Sequence, residues 1–378
     1  MNLKIFIIII IMNKKPIWYE KQVKKLIEIN KSCPVQKSKN WFASRNTRIT
    51  ASEASSCLPK IEEICSTYEK LFNVKIKYNP NQNLSSYDSK EDYIMNKCRT
   101  FYGENLFKDN IYTLHGKKFE EISTRLYRKV YNTEVLEFGL LPHPRLSWLG
   151  ASPDGCTRSG IMLEIKNPNK MYTIPSITYF TQMQIQMETA NLDVCDFLVC
   201  YVKNIDTEQE YITRVLDESS NNENLPNSCK QYKGILLNKV SESDNSTSKY
   251  IYPPDNLDTT DDFLNWKNNT IIEFKQNGIY VIPNYYIIQE WSIIRIHRNK
   301  EWFNIIKPYL KSTIDLIRKL QKDHELFHKY RESIDLIKNK TFIEMYDKTE
   351  CLLDNDSDSD FYIEEIETEI DTCLLSEN

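Results

Sequence analysis

The residues best placed to do chemistry are Asp154, Glu164 and Lys166. Ser152-Pro153-Asp154-Gly155 closes an apolar run (Leu146, Trp148, Leu149, Ala151), and Asp154-Gly155 and Ser159-Gly160 supply turn chemistry. Beyond the turn, Ile161, Leu163 and Ile165 alternate with Met162, Glu164 and Lys166. A strand, a turn and a second strand would bring one Asp beside one Glu, with a lysine two residues further along the same face. Two adjacent carboxylates repel unless a cation lies between them. Their oxygens suit Mg²⁺, which takes one or two carboxylates, keeps several waters and accepts a substrate phosphate. A neighbouring ammonium can orient water or stabilise charge on that phosphate. The set is suited to cutting a phosphodiester. The same spacing recurs at Asp262, Glu273 and Lys275, in a run that also reads as a strand, so spacing alone does not choose between them.

The flanking elements must do the choosing. Residues 17–34 read as an amphipathic helix (Trp18, Val23, Leu26, Ile27). Thr50 and Glu53 form a capping box, so a helix starts there, with Ser52 in its first turn and Arg45 just upstream as a seat for phosphate. After His115-Gly116-Lys117-Lys118, a helix aligns Phe119, Ile122, Leu126 and Val130 and sets Glu120 at the border of the apolar face. Residues 134–141 read as a strand. Tyr179 to Met187 reads as a helix, on which Gln182 and Gln186 share a face. Phe197 to Val202 reads as a buried strand and Tyr211 to Val215 as an edge strand. Residues 216–262 are rich in Ser, Asn, Asp and Pro. Residues 278–298 return to apolar and aromatic character, and long helices follow from Pro308 to about Lys340.

The chain of 378 residues has the length for one large domain or two smaller ones. Its net charge of −4 is unevenly spread. The 11 acidic residues from Glu350 onward, with no Lys or Arg among them, leave 49 basic against 42 acidic residues in 1–349, a net of +7. A mildly basic body fits a phosphate-bearing partner or an ordinary solvated surface. The ten cysteines contain no C-x-x-C spacing, which argues against a zinc site or a disulfide framework and for reduced thiols inside a cell. The apolar run Ile5 to Met12 is shorter than the roughly 20 residues that span a bilayer.

Five motifs in order give a resemblance: Arg45 with Ile49-Thr50-Ala51-Ser52, then Gly116-Lys117-Lys118-Phe119-Glu120, Ser152-Pro153-Asp154-Gly155, Glu164-Ile165-Lys166, and Tyr179 with Gln182-Met183-Gln184. Together they resemble the lambda-exonuclease, or YqaJ-like viral recombinase, family of PD-(D/E)xK nucleases over roughly residues 40–215. The resemblance favours the first acidic set over the second. It implies an α/β fold with a restriction-endonuclease-like core, a central mixed sheet flanked by helices, and added C-terminal helices. The expected divisions are an apolar segment 1–16, a nuclease core 17–215, a polar insertion or linker 216–277, a C-terminal strand and helical extension 278–345 packed on the core, and an acidic disordered tail 346–378.

The resemblance also implies roles. Asp154 and Glu164, with the backbone carbonyl of Ile165, would bind Mg²⁺ (or Mn²⁺), and Glu120 would hold a second metal directly or through water. Lys166 would act on the attacking water and Gln182 would support it. Arg45 and Ser52 would bind the 5′ phosphate of double-stranded DNA. Family members degrade one strand of linear duplex from 5′ to 3′ and several form trimers. A single-strand annealing protein is the implied partner, and the host cytoplasm, a viral factory or the nucleus the implied location. A restriction-like or structure-specific endonuclease, or a catalytically silent DNA-binding protein on the same fold, are the alternatives.

Overall fold

The computed structural model describes residues 16–36, 38–85, 89–104, 110–216, 231–240 and 250–353. In chain order the elements are α1 (Pro16–Asn30), α2 (Lys39–Asn46), β1 (Ile49–Thr50), a 3₁₀ helix (Ala51–Cys57), β2 (Pro59–Lys60), α3 (Glu62–Phe72), β3 (Asn79–Asn83), α4 (Lys90–Phe101), α5 (Ile111–Tyr131), β4 (Val135–Leu136), β5 (Leu141–Pro142) and β6 (Leu149–Ala151). There follow β7 (Gly155–Thr157), β8 (Ile161–Lys166), α6 (Ile177–Ala190), β9 (Val194–Ile205), α7 (Glu208–Thr213), β10 (Tyr232–Val240), β11 (Tyr250–Ile251), α8 (Thr260–Gln276), β12 (Tyr280–His297), α9 (Lys300–Lys322) and α10 (His324–Leu353). This is an α/β fold on a mixed seven-stranded sheet of order β11-β10-β12-β9-β8-β7-β4, with a small sheet β1-β6-β5 beside it.

Ser159-Gly160 makes the hairpin turn, whereas Gly155, also read as a turn residue, opens β7, and the apolar run before it becomes β6 of the smaller sheet. β7 and β8 form an antiparallel hairpin in which Gly155 faces Leu163 and Cys156 faces Met162. Gly160 closes it at φ +86°, where a side chain would strain the backbone and meet Tyr19. At Gly155 a Cβ would sit 2.3 Å from Val135 Cγ1, so only glycine lets the edge strand β4 approach. β8 is buried on both faces. Leu163 and Ile165 pack with Phe119, Ile122 and Leu126 of α5. Met162 on the other face joins the core of Phe180, Met183 and Met187 from α6. Each such side chain contributes about 1.5–3 kcal/mol through burial. α6 then carries the chain over to β9, which runs parallel to β8, with Glu164 beside Phe197.

Four other readings are corrected. Residues 134–141 hold two short strands in different sheets, β4 and β5, separated by irregular chain at 137–140, where a Cβ added to Gly139 would strike the Pro34 carbonyl at 2.5 Å. Tyr211 lies not on an edge strand but on α7, where Thr207 caps the helix through Glu210 N and the ring is fully buried. The span 216–277 is not simply a polar insertion. β10 within it pairs with β12 along nine residues and buries Ile235, Leu236 and Leu237. The run holding Asp262, Glu273 and Lys275 is the helix α8, not a strand.

Residues 280–297 are likewise part of the sheet itself, since β12 lies between β9 and β10. α9 packs its buried face (Trp302, Phe303, Ile306, Leu310, Ile314, Ile317) into the principal core, and the Trp302 indole donates to the Ile64 carbonyl at 2.8 Å. The apolar run at 5–12 and residues 354–378 of the acidic tail lie outside the described residues.

Candidate active site

The hairpin register sets Asp154 across from Glu164, one position beyond the Gly155–Leu163 pair. Asp154 is fixed by its own neighbour strand: the Ile165 backbone N–H donates to Asp154 Oδ2 at 2.7 Å. Glu164 is fully buried, and the Gln186 amide donates to its Oε2 at 2.7 Å. Lys166, two residues on and on the same side, places its ammonium 2.7 Å from Glu164 Oε1. That ammonium also lies over the Tyr179 ring, 4.4 Å from the centroid. One carboxylate is thus held by an amide and a lysine, and the lysine by a carboxylate and an aromatic face.

The electrostatics follow from this crowding. Burial, then the charges of Glu164 and Glu120, push the Asp154 carboxyl well above the usual carboxylate range, against the pull of Lys166 and the Ile165 N–H. Burial alone would lower the Lys166 ammonium. The Glu164 charge, with Tyr179 and Asp154, outweighs it and raises the lysine, which stays protonated. Glu120 is half-buried on α5, across the sheet from α6, yet close enough for Asp154 to feel its charge. α5 is pinned nearby where Ser123 donates to Asn167 Oδ1 at 2.6 Å, just beyond Lys166.

Among the described residues no group of three or more His, Cys, Asp or Glu is drawn together tightly enough to enclose a metal. Two carboxylates with water and phosphate are sufficient for Mg²⁺. The donor set fits such an ion: a like-charged pair in which Asp154 Oδ2 takes the Ile165 N–H and Glu164 Oε1 faces the Lys166 ammonium at 2.7 Å, which leaves lone pairs on both carboxylates for a cation. Gln182 stands half-buried one turn before Gln186 on α6. The amide that touches Glu164 is that of Gln186, whose Oε1 is itself buried without a hydrogen-bond partner. Helical spacing put both amides on one face, but only the packing of α6 selects between them. The His115 ring stacks edge-on with Phe119 at 4.8 Å, and burial lowers its basicity.

Arg45 and Ser52 also come together. Arg45 Nη2 donates to Glu53 Oε1 at 3.0 Å and approaches Ser52 Oγ at 3.4 Å. Its guanidinium lies over the Trp41 ring at 4.6 Å. β1 runs parallel to β6, with Thr50 opposite Gly150, which sets the start of the 3₁₀ helix beside the Ser152-Pro153-Asp154 corner. Trp41 Nε1 donates to Ser152 Oγ at 3.2 Å and joins the two clusters. The expected capping box is present, with Glu53 Oε2 accepting from Thr50 N at 3.1 Å. The competing set does not converge: Asp262 caps α8 through Thr259, and Glu273 and Lys275 are exposed on its last turns.

Among the described residues no helix is long and apolar enough to cross a membrane. An uncharacterized protein of Acanthamoeba polyphaga mimivirus is 26% identical over 343 residues, which are 82% of this chain and 57% of the relative. The chain thus spans a little over half the length of this curated relative. An alkaline exonuclease of Laribacter hongkongensis, LHK-Exo, is 18% identical, with 79% of this chain and all of that one covered at a TM-score of 0.42. A phage-related exonuclease from Haemophilus somnus is 12% identical, with 72% and 94% covered at a TM-score of 0.37. Residues 40–193, the segment that holds Arg45, Ser52, Glu120, Asp154, Glu164, Lys166 and Gln182, match the family model of the YqaJ-like viral recombinase domain.

Proposed function

We propose that this chain is a divalent-cation-dependent nuclease that shortens linear double-stranded DNA from its 5′ ends, in viral-type recombination, repair or genome processing. The observation that carries this reading is the facing Asp154/Glu164 pair with Lys166 clamped between Glu164 and the Tyr179 ring. A buried and a half-buried carboxylate that repel each other beside an ammonium are costly for an inert scaffold to keep.

Asp154, Glu164 and the Ile165 carbonyl would hold Mg²⁺, or Mn²⁺ in its place, with Glu120 serving directly or through water. When bound, that ion supplies charge neutralisation at the scissile phosphate and a more acidic water. The protein's own groups do the rest. Ile165 N–H and the Gln186 amide keep the two carboxylates oriented. Lys166, protonated and fixed, stands to orient the attacking water and to stabilise charge on the phosphate. Gln182 backs Lys166 or that water. Arg45 and Ser52 receive the terminal phosphate, and the Trp41–Ser152 contact sets that seat at a fixed offset from Asp154. A single-strand annealing protein, a homotrimer and a host-cytoplasmic, viral-factory or nuclear location belong to this proposal by family resemblance.

The test incubates purified protein with linear and covalently closed duplex, each with Mg²⁺ or with chelator. Cleavage confined to linear DNA with Mg²⁺, abolished by Asp154→Asn and by Lys166→Ala while Asp154→Asn still binds duplex, is the expected outcome. Normal cleavage by Asp154→Asn rejects the site, and cutting of closed circles turns the reading to an endonuclease.

A further inference from the structure

The phosphate seat contains a group that the motifs do not explain. Lys97, on α4, is only 6% exposed. Its ammonium donates to the Arg45 backbone carbonyl at 2.6 Å and pairs with Glu53 Oε2 at 2.9 Å. The other oxygen of Glu53 takes Arg45 Nη2 at 3.0 Å. Lys97 therefore grips Arg45 twice: at its backbone, and through the carboxylate that aims its guanidinium. Tyr93, one helical turn before Lys97, donates to Glu53 Oε2 at 3.5 Å and adds no charge. Two cations share one carboxylate, so the cluster holds one positive charge in surplus.

That surplus decides what the seat can do. An Arg45–Glu53 pair by itself would be neutral and self-satisfied, with little to offer an anion. With Lys97 taking a share of Glu53, the outward side of the guanidinium keeps its charge for a ligand. We infer that Lys97 and Glu53 are positioning residues that hold Arg45 aimed and under-neutralised, so that the hold on the terminal phosphate proposed above depends on Lys97. The inference rests on the reading of Arg45 and Ser52 as the end-binding pair.

Binding in chelator needs no catalysis and separates the two readings. The probes are one linear duplex carrying a 5′ phosphate and the same duplex carrying a 5′ hydroxyl, titrated into full-length protein. Wild type should prefer the phosphorylated end by about tenfold, the factor one charge-assisted contact commonly carries. Lys97→Met should lose that preference while its affinity for the hydroxyl end is unchanged, and Lys97→Arg should restore it. An equal loss on both ends, or an unchanged preference, overturns the role of Lys97. If Lys97→Met does not fold, Lys97→Gln, which keeps a donor for the Arg45 carbonyl and removes the charge, should also lower the preference. A wild type that cleaves with Mg²⁺ but binds both ends alike sinks this inference and spares the nuclease. A wild type that prefers phosphate but never cleaves does the reverse.

Discussion

Glu53 allows a stability prediction worked from the structure. Burial would raise its carboxyl, but the charges of Lys97 and Arg45, with hydrogen bonds from Lys97 and Thr50, lower it from 4.5 to about 2. Multiplied by about 1.4 kcal/mol per pH unit, that drop sets a ceiling of about 3.5 kcal/mol on what the ionised carboxylate contributes to folding. Its side chain is 23% exposed, and solvent screening brings the expectation nearer to about 2 kcal/mol.

Because the folded-state value is depressed, the contribution is fully present above the unfolded value of 4.5 and is lost as pH falls through about 2. Glu53→Gln keeps the shape and one oxygen to accept from Thr50 N, and it removes the charge and turns the oxygen that accepts from Arg45 into an N–H donor. Urea unfolding followed by tryptophan fluorescence should therefore show the variant about 2 kcal/mol less stable at pH 7, with the gap narrowing by about 1 kcal/mol at pH 3.5. The other groups facing Glu53 do not titrate in this window: Tyr93 is pushed well above its usual range and the Cys57 thiol up to about 12, mainly by burial. A gap that stays constant with pH, or one below about 0.5 kcal/mol at pH 7, the usual effect of a surface change, would refute the reasoning.

Three further outcomes follow. Gln186→Leu removes the amide that holds a fully buried carboxylate, and should cost about 2 kcal/mol in urea unfolding and lower Mg²⁺-dependent cleavage by about 10- to 100-fold. Adding Mg²⁺ at about ten times its dissociation constant should stabilise wild type by about 1.4 kcal/mol in thermal unfolding, and Asp154→Asn should lose most of that gain. Asp262→Asn together with Lys275→Ala touches only α8, and should leave cleavage unchanged, with stability lowered by about 1 kcal/mol or less through the weakened cap.

The hairpin was legible because Ser159-Gly160 marked its turn and Leu163 to Lys166 alternate apolar and charged, although Asp154-Gly155, also read as a turn, instead leads into β7. Once the hairpin is drawn, the Asp154/Glu164 adjacency is a matter of register. Equal spacing at Asp262, Glu273 and Lys275 misled because the number of intervening residues is blind to secondary structure. The cue lay in Thr259 and Asp262, a capping box, followed by Phe263, Trp266, Thr270 and Phe274 at helical period. β10 was hidden for a different reason. Tyr232 and Ile235 to Leu237 form a short apolar run between long Ser- and Asn-rich flanks, and composition averaged over the span drowns it. Tyr211 and Val215 alternate as a strand would, and only the Thr207–Glu210 cap argued otherwise. The partnership of Lys97 with Arg45 joins residues 52 apart and could not be read from any local pattern.

The span that matches the recombinase family stops at residue 193, and β9 starts at Val194. A protein trimmed to that span would keep every motif and lose the strand that flanks Glu164 and Lys166 along its whole length. β9 in turn leans on β12, which arrives from nearly a hundred residues later. The smallest piece able to hold these side chains in this arrangement therefore reaches at least to His297, and the span that carries the motifs is not, in this protein, a self-sufficient folding unit.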